Sequence, residues 1–502
     1  MTTVTAAPLT PRAWTLERAS VLRLFGCLLL LTVALRLPAF AVDVFNSDET
    51  FLATQAEVIR DDGWQNLYDL AADRKPPLVP YVYAATFTLV GAASLVAVRV
   101  VAMLAVALTA LLLSIEARRR YGERAGWVAG VLMVLASVSF APQDGQAANF
   151  EVFMLPSMTG AVLLARRGRG GWAGVCVALA TLAKQTGAAT LLPVLWLLGR
   201  DRDRTNVPRA LLGFAVPIGV VALLVGPHEL FFWAVLGNGS YLSIGEASTF
   251  VLMMFALMTA AFLAMNLAIL WRLPSAWRER AAVRDDGRSD VDLWLWLASG
   301  AISVAVGFRF FGHYYLQLLP PLCLLTAGAL VHAGRRVRVA TMATAAIVAV
   351  SFSALGFFVQ PFNRDFEYES ASAFVKRHTE PGDPVFVWGT APEIYWASGT
   401  NPATRYLTPS LLGLTHPGRP ADERAQDDIV RQVEASDAWD TLFEDLTLHP
   451  PRYILDTADA GIRGLEPYPV SLFPRLQRLV DTKYRYVRTI DDIDIYEQVT
   501  DQ

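Results

Sequence analysis

The chain has 502 residues, of which 54% are hydrophobic and 18% are charged. Soluble domains carry about 25% charged residues, so this balance excludes a cytosolic enzyme and any disordered or fibrous class. The net charge of -3, from 43 basic and 46 acidic residues, gives no electrostatic reason to bind nucleic acid. Cys27, Cys176 and Cys323 each lie in an apolar run, which argues against a disulfide framework or a CxxC metal site. The composition therefore predicts a membrane protein.

Long apolar runs predict the membrane topology, because a helix needs about 20 apolar residues to cross a bilayer. The run at 172–198 is too long for one crossing and is interrupted by Lys184, Gln185, Thr186 and Gly187, which predicts two short helices joined by a polar hairpin. With this pair, the sequence predicts about eleven crossings. The single crossings are residues 19–37, 95–115, 125–141, 150–165, 211–225, 250–270, 293–306, 316–331 and 339–359.

The apolar run at residues 77–90 is interpreted from the charges of the later loops. If it crossed fully, every downstream basic loop would lie outside, against the rule that basic loops face the cytoplasm. We therefore expect it to lie at, or dip into, the outer interface of the cytoplasmic (inner) membrane, with a cytoplasmic N-terminus. Residues 39–41 resemble a signal-peptidase site, but the length of the first run favours a retained anchor helix. The basic loops are residues 118–120, 166–169, 200–204, 272–288 and 335–338.

The composition changes after residue 359. Residues 360–502 are charged and rich in proline, and they contain no apolar run long enough to span a membrane. Short apolar strands at 385–388, 453–455 and 493–496 alternate with helix-like stretches at 367–377, 421–435 and 473–483, which predicts an α/β unit. We therefore predict an α-helical polytopic membrane domain at 1–359, with an extracytoplasmic loop at 38–92, and an extracytoplasmic soluble α/β domain at 360–502.

The first outward loop carries the strongest candidate chemistry. Asp48 and Glu49 follow a membrane helix directly, and partial desolvation at the lipid boundary would raise their basicity and suit one of them to be a general base. The alternative is that one of them caps the next helix. Further along, Lys75 precedes a proline pair that stiffens the chain. Its ammonium would either bind a phosphate at the outer headgroup level or snorkel to any lipid headgroup.

Two further outward segments contain polar groups beside apolar helices. Glu151 begins such a helix and follows a loop that contains Asp144 and Asn149. An ionisable group at this position is a functional candidate. The alternative is that the Glu151 carboxylate interacts with the positive end of the helix dipole. Lys184 and Gln185 lie in the polar hairpin, where a buried cation needs an anionic partner or ligand. The alternative for Lys184 is an ion pair with Glu151 or Asp144.

A fourth cluster, containing Arg309, His313, Tyr314 and Tyr315, lies at the outer junction of two helices. The tyrosines are typical of a membrane aromatic belt, whereas an arginine fork matches phosphate geometry. A lone histidine more often makes a structural hydrogen bond than a metal bond. No HExxH, Walker, GxSxG or His/Cys ligand spacing supports hydrolytic zinc, nucleotide-hydrolysing or serine-hydrolase chemistry.

The order of these motifs resembles the GT-C membrane glycosyltransferases. Among them, the chain is most similar to family 39, which includes the aminoarabinose transferase of lipid A and the protein O-mannosyltransferases. The motifs that carry the resemblance are, in order, an apolar helix, Asp48-Glu49-Thr50, an amphipathic loop, Lys75-Pro76-Pro77-Leu78 and a polar loop before Glu151. The resemblance covers roughly residues 19–359 and is strongest at 46–83.

The resemblance implies an inverting transferase that moves a sugar from polyprenyl phosphate to a hydroxyl of a glycolipid, polysaccharide or protein on the outer face of the membrane. It implies that Asp48 is the catalytic base, with Glu49 as its companion, and that Lys75 contacts the donor phosphate. Further phosphate-binding candidates are Arg74, Lys184 and Arg309. The candidates for the substrate pocket are Asp144, Asn149, Glu151, Gln185, His313, Tyr314 and Tyr315.

The sequence also departs from the family pattern. In the aminoarabinose transferase the residue before the motif lysine is acidic and associated with a metal, whereas here it is Arg74, so a divalent metal is disfavoured and no cofactor is assigned. The histidine and luminal repeats of protein O-mannosyltransferases are missing, which disfavours a protein acceptor. The alternative functions are a transporter or flippase of envelope precursors and a non-catalytic assembly protein.

Overall fold

The computed structural model describes residues 18–201, 203–238, 248–284, 287, 289–358, 367–414, 423–463 and 465–499. The predicted domain boundary after residue 359 and the end of the basic loop at Arg288 lie outside these ranges. Most described residues are helical, and five strands near the C-terminus form one sheet.

Among the first ten described helices, the second carries Asp48 in its first turn. They are α1 (Arg18–Leu35), α2 (Ser47–Asp62), α3 (Leu67–Leu70), α4 (Leu78–Val90), α5 (Leu95–Tyr121), α6 (Glu123–Ala136), α7 (Pro142–Gly145), α8 (Phe150–Arg166), α9 (Gly170–Ala183) and α10 (Leu191–Gly199). The predicted polar hairpin is present, because α9 ends before Lys184 and a 3-10 turn, Gln185–Thr190, leads into α10.

The following helices complete the apolar part of the chain. They are α11 (Asn206–Val225), α12 (Pro227–Ala234), α13 (Ser248–Met265), α14 (Leu267–Leu270), α15 (Leu273–Arg278), α16 (Val291–Ala305), α17 (Leu319–Val331) and α18 (Arg335–Leu355). A 3-10 turn, Gly312–Leu318, precedes α17 and carries the histidine and tyrosine cluster.

Several of the described helices are suited to a bilayer. Four spans are long and apolar enough to cross it, and a pair bent by 69°, Val251–Met265 with Leu267–Arg278, would be a fifth. These lengths agree with the predicted membrane protein, whereas the count of about eleven crossings stays a prediction. Helix α4 has 13 residues, which is short for a crossing and compatible with its predicted interfacial position. The four spans are Leu95–Tyr121, Asn206–Val225, Gly312–Val331 and Arg335–Phe358.

A buried charge network joins three of these helices. Arg120 at the end of α5 contacts Glu116 at 2.7 Å and Asp292 of α16 at 2.7 Å, and Arg166 at the end of α8 contacts Asp292 at 2.9 Å. Buried charges are stable only when they are paired, and here each carboxylate has an arginine partner. Arg120, which the sequence places in a basic loop, therefore lies inside the helix bundle.

The C-terminal residues form a mixed sheet with the strand order β2-β1-β3-β5-β4. Strand β1 pairs in parallel with β2 and β3, whereas β5 pairs antiparallel with β3 and β4. The strands and helices predicted here are present, while their status as a separate soluble domain stays a prediction. The strands are β1 (Pro384–Trp388), β2 (Asn401–Pro402), β3 (Tyr453–Asp456), β4 (Tyr484–Ile490) and β5 (Ile493–Gln498). The helices are α19 (Glu369–His378), α20 (Pro392–Ser398), α21 (Glu423–Glu434), α22 (Asp437–Leu448) and α23 (Pro474–Lys483).

Helix α2 lies between the apolar helices and the C-terminal sheet. It packs against α4 on one side and against α20 on the other. Val58 of α2, Ile394 of α20 and Ile462 belong to one buried apolar cluster. Because burial of apolar surface drives such packing, the C-terminal residues are held against the loop that contains Asp48.

Candidate active site

Asp48 lies in the first turn of α2. The helix begins at this point because Asn46 adopts an extended conformation and its side chain accepts a hydrogen bond from the Asp48 amide at 3.0 Å. Asn46 is therefore the capping residue, and neither Asp48 nor Glu49 caps the helix. The positive end of the helix dipole lies beside the Asp48 carboxylate and favours its ionised form.

Four cationic side chains influence the Asp48 carboxylate. Burial raises the pKa of Asp48, but the positive charges of Lys75, His313, Lys184 and Arg463 lower it, and the net pKa is below the usual value. Desolvation acts in the expected direction, but the summed charges of the four cations outweigh it. The arrangement brings together three predicted site residues from separate segments, along with Arg463 from the C-terminal region.

Glu49 has a different environment from its neighbour. Its carboxylate accepts hydrogen bonds from Arg99 Nε at 2.9 Å and Nη2 at 2.7 Å, from the Phe45 amide at 3.0 Å and from the Ala148 amide at 2.9 Å. The side chain is fully buried. Four donors engage both of its oxygens, so the contacts of Glu49 hold α2, α5 and the loop before α8 together.

Arg99 was not singled out by the sequence analysis, although it lies in the apolar helix α5. Beyond Glu49, its guanidinium donates to the carbonyls of Ala39 at 3.1 Å, Val42 at 2.5 Å and Asp43 at 3.0 Å. The missed signal was a lone arginine in a membrane-spanning run, since an ionisable residue there requires a partner.

Lys75 and Arg74 are neighbours in sequence but face different surroundings. Lys75 Nζ lies 3.7 Å from Asp73 Oδ2 and 4.1 Å from the centroid of the Phe150 ring. The Arg74 guanidinium instead donates to the Ser410 carbonyl at 2.6 Å. Lys75 therefore lies beside Phe150 at the start of α8, and its charge acts on Asp48, while Arg74 connects its loop to the C-terminal region.

Glu151 and Lys184 form a buried ion pair, which is the alternative that the sequence left open for Lys184. The ammonium also lies 3.5 Å from the centroid of the Tyr314 ring, as in a cation–π contact. Within the described part of the chain, Glu151 Oε2 has no hydrogen-bond partner. The pair thus presents a buried acceptor atom in the same neighbourhood as Asp48.

His313 and Asp144 form a second buried pair. Asp144 Oδ1 lies 2.8 Å from His313 Nδ1 and accepts a hydrogen bond from the His313 amide at 2.9 Å. A carboxylate at Nδ1 keeps a proton on that nitrogen and stabilises the positive charge that His313 presents to Asp48. Asp144 therefore orients the histidine ring.

The amide side chains of the site have distinct environments. The Gln185 amide donates to the carbonyls of Arg74 at 2.5 Å and Ala234 at 3.0 Å, and it thereby ties the polar hairpin to the Lys75 loop. Asn149 donates to the Gln143 carbonyl at 3.3 Å. In the described residues, no hydrogen bond reaches the buried Oδ1 of Asn149, so this atom is a second acceptor that a ligand could use.

The remaining candidates lie at the periphery. The Tyr315 hydroxyl contacts Thr259 Oγ1 of α13 at 2.7 Å, and its ring stacks on Phe140, so it contributes to helix packing. Arg309 is half-buried in the segment between α16 and the 3-10 turn. Its neighbours Phe308 and Phe310 have φ angles of 51° and 52°, an uncommon conformation that costs on the order of 1–3 kcal/mol each and is often found at functional sites.

A divalent metal does not fit the described residues around Lys75. Across the described ranges, no group of three or more His, Cys, Asp or Glu side chains is arranged to hold a metal ion. The cationic Arg74 also occupies the position next to Lys75 and donates to a carbonyl. We therefore derive no chemical step through a metal.

Comparisons with known proteins bear on the fold and the family. Residues 74–228 match the sequence model of the family described as dolichyl-phosphate-mannose-protein mannosyltransferase. This segment includes Lys75, Glu151 and Lys184. A comparison with curated proteins finds no match.

Solved structures share the fold along most of the chain. ArnT from Cupriavidus metallidurans bound to undecaprenyl phosphate has 13% identity and a TM-score of 0.60, with 96% of this chain and 99% of that chain covered. Its apo form has 14% identity and a TM-score of 0.62, with coverage of 94% and 98%. The archaeal oligosaccharyltransferase AglB from Archaeoglobus fulgidus, in complex with an inhibitory peptide and a dolichol-phosphate, has 12% identity and a TM-score of 0.51, with coverage of 95% and 74%.

At these identities the structural likeness establishes the fold, and the family match adds a sequence relationship over residues 74–228. The family match includes Lys75 but not Asp48. The predicted resemblance is confirmed: the chain has the fold of the GT-C membrane glycosyltransferases and resembles their family 39 type.

Proposed function

We propose that the chain is an inverting glycosyltransferase that moves a hexosyl or pentosyl group from a polyprenyl-phosphate donor to an acceptor hydroxyl on the outer face of the cytoplasmic membrane. The acceptor would be a glycolipid, polysaccharide or protein of the cell envelope. The observation that carries this proposal is that the positive charges of Lys75, His313 and Lys184 act on the Asp48 carboxylate and lower its pKa. A carboxylate and fixed cations are the groups needed to take a proton and to stabilise a departing phosphate.

In the proposed reaction, Asp48 takes the proton of the acceptor hydroxyl as the hydroxyl oxygen attacks the anomeric carbon. The new carbon–oxygen bond forms on the face opposite the phosphate, so the configuration inverts. The bond from the anomeric carbon to the phosphate oxygen breaks, and its electron pair leaves with polyprenyl phosphate. Lys75 offsets the charge that develops on the leaving group, which needs no strong acid.

The low pKa of Asp48 in the free protein has a consequence for this mechanism. Lys75 and Lys184 are among the cations that lower the pKa. A bound donor phosphate would neutralise much of their field, so the pKa of Asp48 would rise when the donor is in place. The base would thus become stronger in the complex in which it acts.

The ligands in two similar structures support a polyprenyl-phosphate donor. ArnT was solved with undecaprenyl phosphate and AglB with a dolichol-phosphate, and both ligands are polyprenyl-type phosphates. The cations near Asp48 suit such a headgroup because ammonium groups bind phosphate as compact charges.

The direct test is transfer of labelled sugar from polyprenyl phosphate to envelope acceptors by the purified protein in proteoliposomes. Asp48→Asn is expected to lower the rate by about 10²- to 10⁴-fold, because it removes a positioned base. Asp62→Asn is the matched control, since Asp62 is an exposed carboxylate at the other end of α2. Full activity of Asp48→Asn would reject the assignment of the base.

The distribution of polar residues also bears on the alternative of a transporter or flippase. Such a protein would line both membrane halves with polar groups along its path. In this chain Lys75, His313 and Lys184 act electrostatically on Asp48, whereas the buried charges around Arg120 and Asp292 are paired with one another. This distribution supports the transferase. Mass spectrometry of envelope glycolipids and polysaccharides from a deletion strain would identify the acceptor.

A further inference from the structure

A large apolar cavity lies between helices α1, α6, α17 and α18, and none of the candidate active-site residues lines it. Its volume is about 950 Å³. Apolar side chains form most of its wall, among them Leu31 of α1, Val131 of α6, Leu330 of α17 and Met342 of α18. The cavity is open on one side at the surface of the helix bundle, and water is a poor occupant because the wall offers few hydrogen-bonding groups.

The polar lining of the cavity is concentrated at one end. Glu123 and Arg124 at the start of α6, and Arg338 in the first turn of α18, contribute their side chains there. Glu123 pairs with Arg118 at 3.3 Å. The charge of Glu123 is thus balanced by Arg118, which does not line the cavity. Arg124 and Arg338 then leave this end of the cavity positively charged.

The surroundings of this end are also basic. Arg119, at the end of α5, and Arg335 and Arg336, at the start of α18, are exposed. Helix α18, which forms one wall of the cavity, also exposes apolar side chains that do not line it, such as Ile347, as expected for a surface in contact with lipid. The cavity therefore combines a hydrocarbon-like interior with a cationic end at the level of the basic helix termini.

We propose that this cavity binds an anionic glycerophospholipid from the leaflet that borders the basic loops, with an acyl chain between α6 and α18 and its phosphate beside Arg124 and Arg338. Basic pockets between transmembrane helices are suited to anionic headgroups, and acyl chains supply the apolar complement. A zwitterionic lipid would fill the interior equally well but would lack the net charge that the cationic end attracts. This inference is independent of the proposed glycosyl transfer.

The test uses the full-length protein, delipidated in detergent and titrated with phosphatidylglycerol or phosphatidylcholine, with bound lipid counted by native mass spectrometry. Phosphatidylglycerol is expected to bind more tightly than phosphatidylcholine. The double variant Arg124→Gln/Arg338→Gln is expected to weaken phosphatidylglycerol binding by about 10- to 30-fold. Each arginine near an anionic headgroup contributes a similar electrostatic attraction, and the double variant removes two of them. Ala343→Trp, which fills the cavity from α18, is expected to lower the occupancy of both lipids.

The matched control is Arg119→Gln/Arg336→Gln, which removes the same charge from exposed positions that do not line the cavity. It is expected to retain most of the phosphatidylglycerol binding. Equal loss in both double variants would overturn the inference, because it would indicate attraction to the basic surface as a whole. Equal binding of the two lipids, or tighter binding of polyprenyl phosphate than of phosphatidylglycerol, would also overturn it.

Discussion

Glu49 and Arg99 form a buried ion pair in which Arg99 Nη2 lies 2.7 Å from Glu49 Oε2, with both side chains almost fully excluded from solvent. The pair connects the first turn of α2 to the apolar helix α5. Asp48 is the residue next to Glu49, so the pair fixes the backbone that presents the candidate base. The Glu49–Arg99 contact thus helps to determine where that base lies.

Removal of one member of this pair should destabilise the protein. Glu49→Ala leaves Arg99 buried without its carboxylate, and loss of one partner from a buried pair typically costs about 3–5 kcal/mol. Thermal unfolding of the detergent-solubilised protein measures the change. Glu57→Ala is the control, because Glu57 lies on the same helix and makes a more exposed pair with Arg60. An unchanged melting temperature for Glu49→Ala would contradict the structural role of the pair.

Lys75 should act on the donor rather than on the fold. Lys75→Ala is expected to lower kcat/KM for the polyprenyl-phosphate donor by about 10²- to 10³-fold, as expected when one donor to a developing negative charge is removed. Lys75→Arg should recover part of the loss because it keeps the charge.

Initial rates at varied donor and acceptor concentrations measure the Lys75 effect, and Lys483→Ala at the end of α23 is the control. A Lys75→Ala enzyme that differs only in its KM for the acceptor would argue against phosphate binding by this residue.

Donor binding should shift the pH dependence of the reaction. In the free protein the cations hold the pKa of Asp48 below its usual value, so its ionised form persists to low pH. Once the donor phosphate offsets those cations, the pKa rises and activity is lost at a higher pH. The acid limb of kcat, which reports the complex, should therefore lie at higher pH than that of kcat/KM for the donor, which reports the free enzyme. Coincident limbs would contradict this coupling.

Arg463 should influence the same carboxylate from the C-terminal region. Its guanidinium pairs with Glu393 at 2.9 Å, and its positive charge helps to lower the pKa of Asp48. Arg463→Gln removes that charge, so the pKa of Asp48 rises and the acid limb of kcat/KM moves to higher pH. Lys376→Gln, at an exposed position in α19, is the control for an equal change in charge. If Arg463→Gln does not shift the acid limb of kcat/KM, the charge of Arg463 does not influence the pKa of Asp48.

The sequence by itself determined the class of the protein and several candidate residues. The apolar composition of a segment indicates whether it lies in lipid or in water. The membrane helices and the break at Lys184 could therefore be predicted from each segment alone. The position of Asp48 and Lys75 beside apolar runs made them candidates, and the resemblance to the GT-C family gave them the roles of base and phosphate contact.

Only the tertiary structure decided which residues meet. Arg99 bonds Glu49 across 50 positions of sequence, and Arg463 reaches the Asp48 neighbourhood from the opposite end of the chain. The tertiary structure also decided the direction of the net shift in the Asp48 pKa, which is downward. The electrostatic potential at a carboxylate depends on cations that belong to distant segments of the chain. Periodicity and composition describe each segment in its solvent, whereas the partners of a buried charge depend on how all the segments pack together.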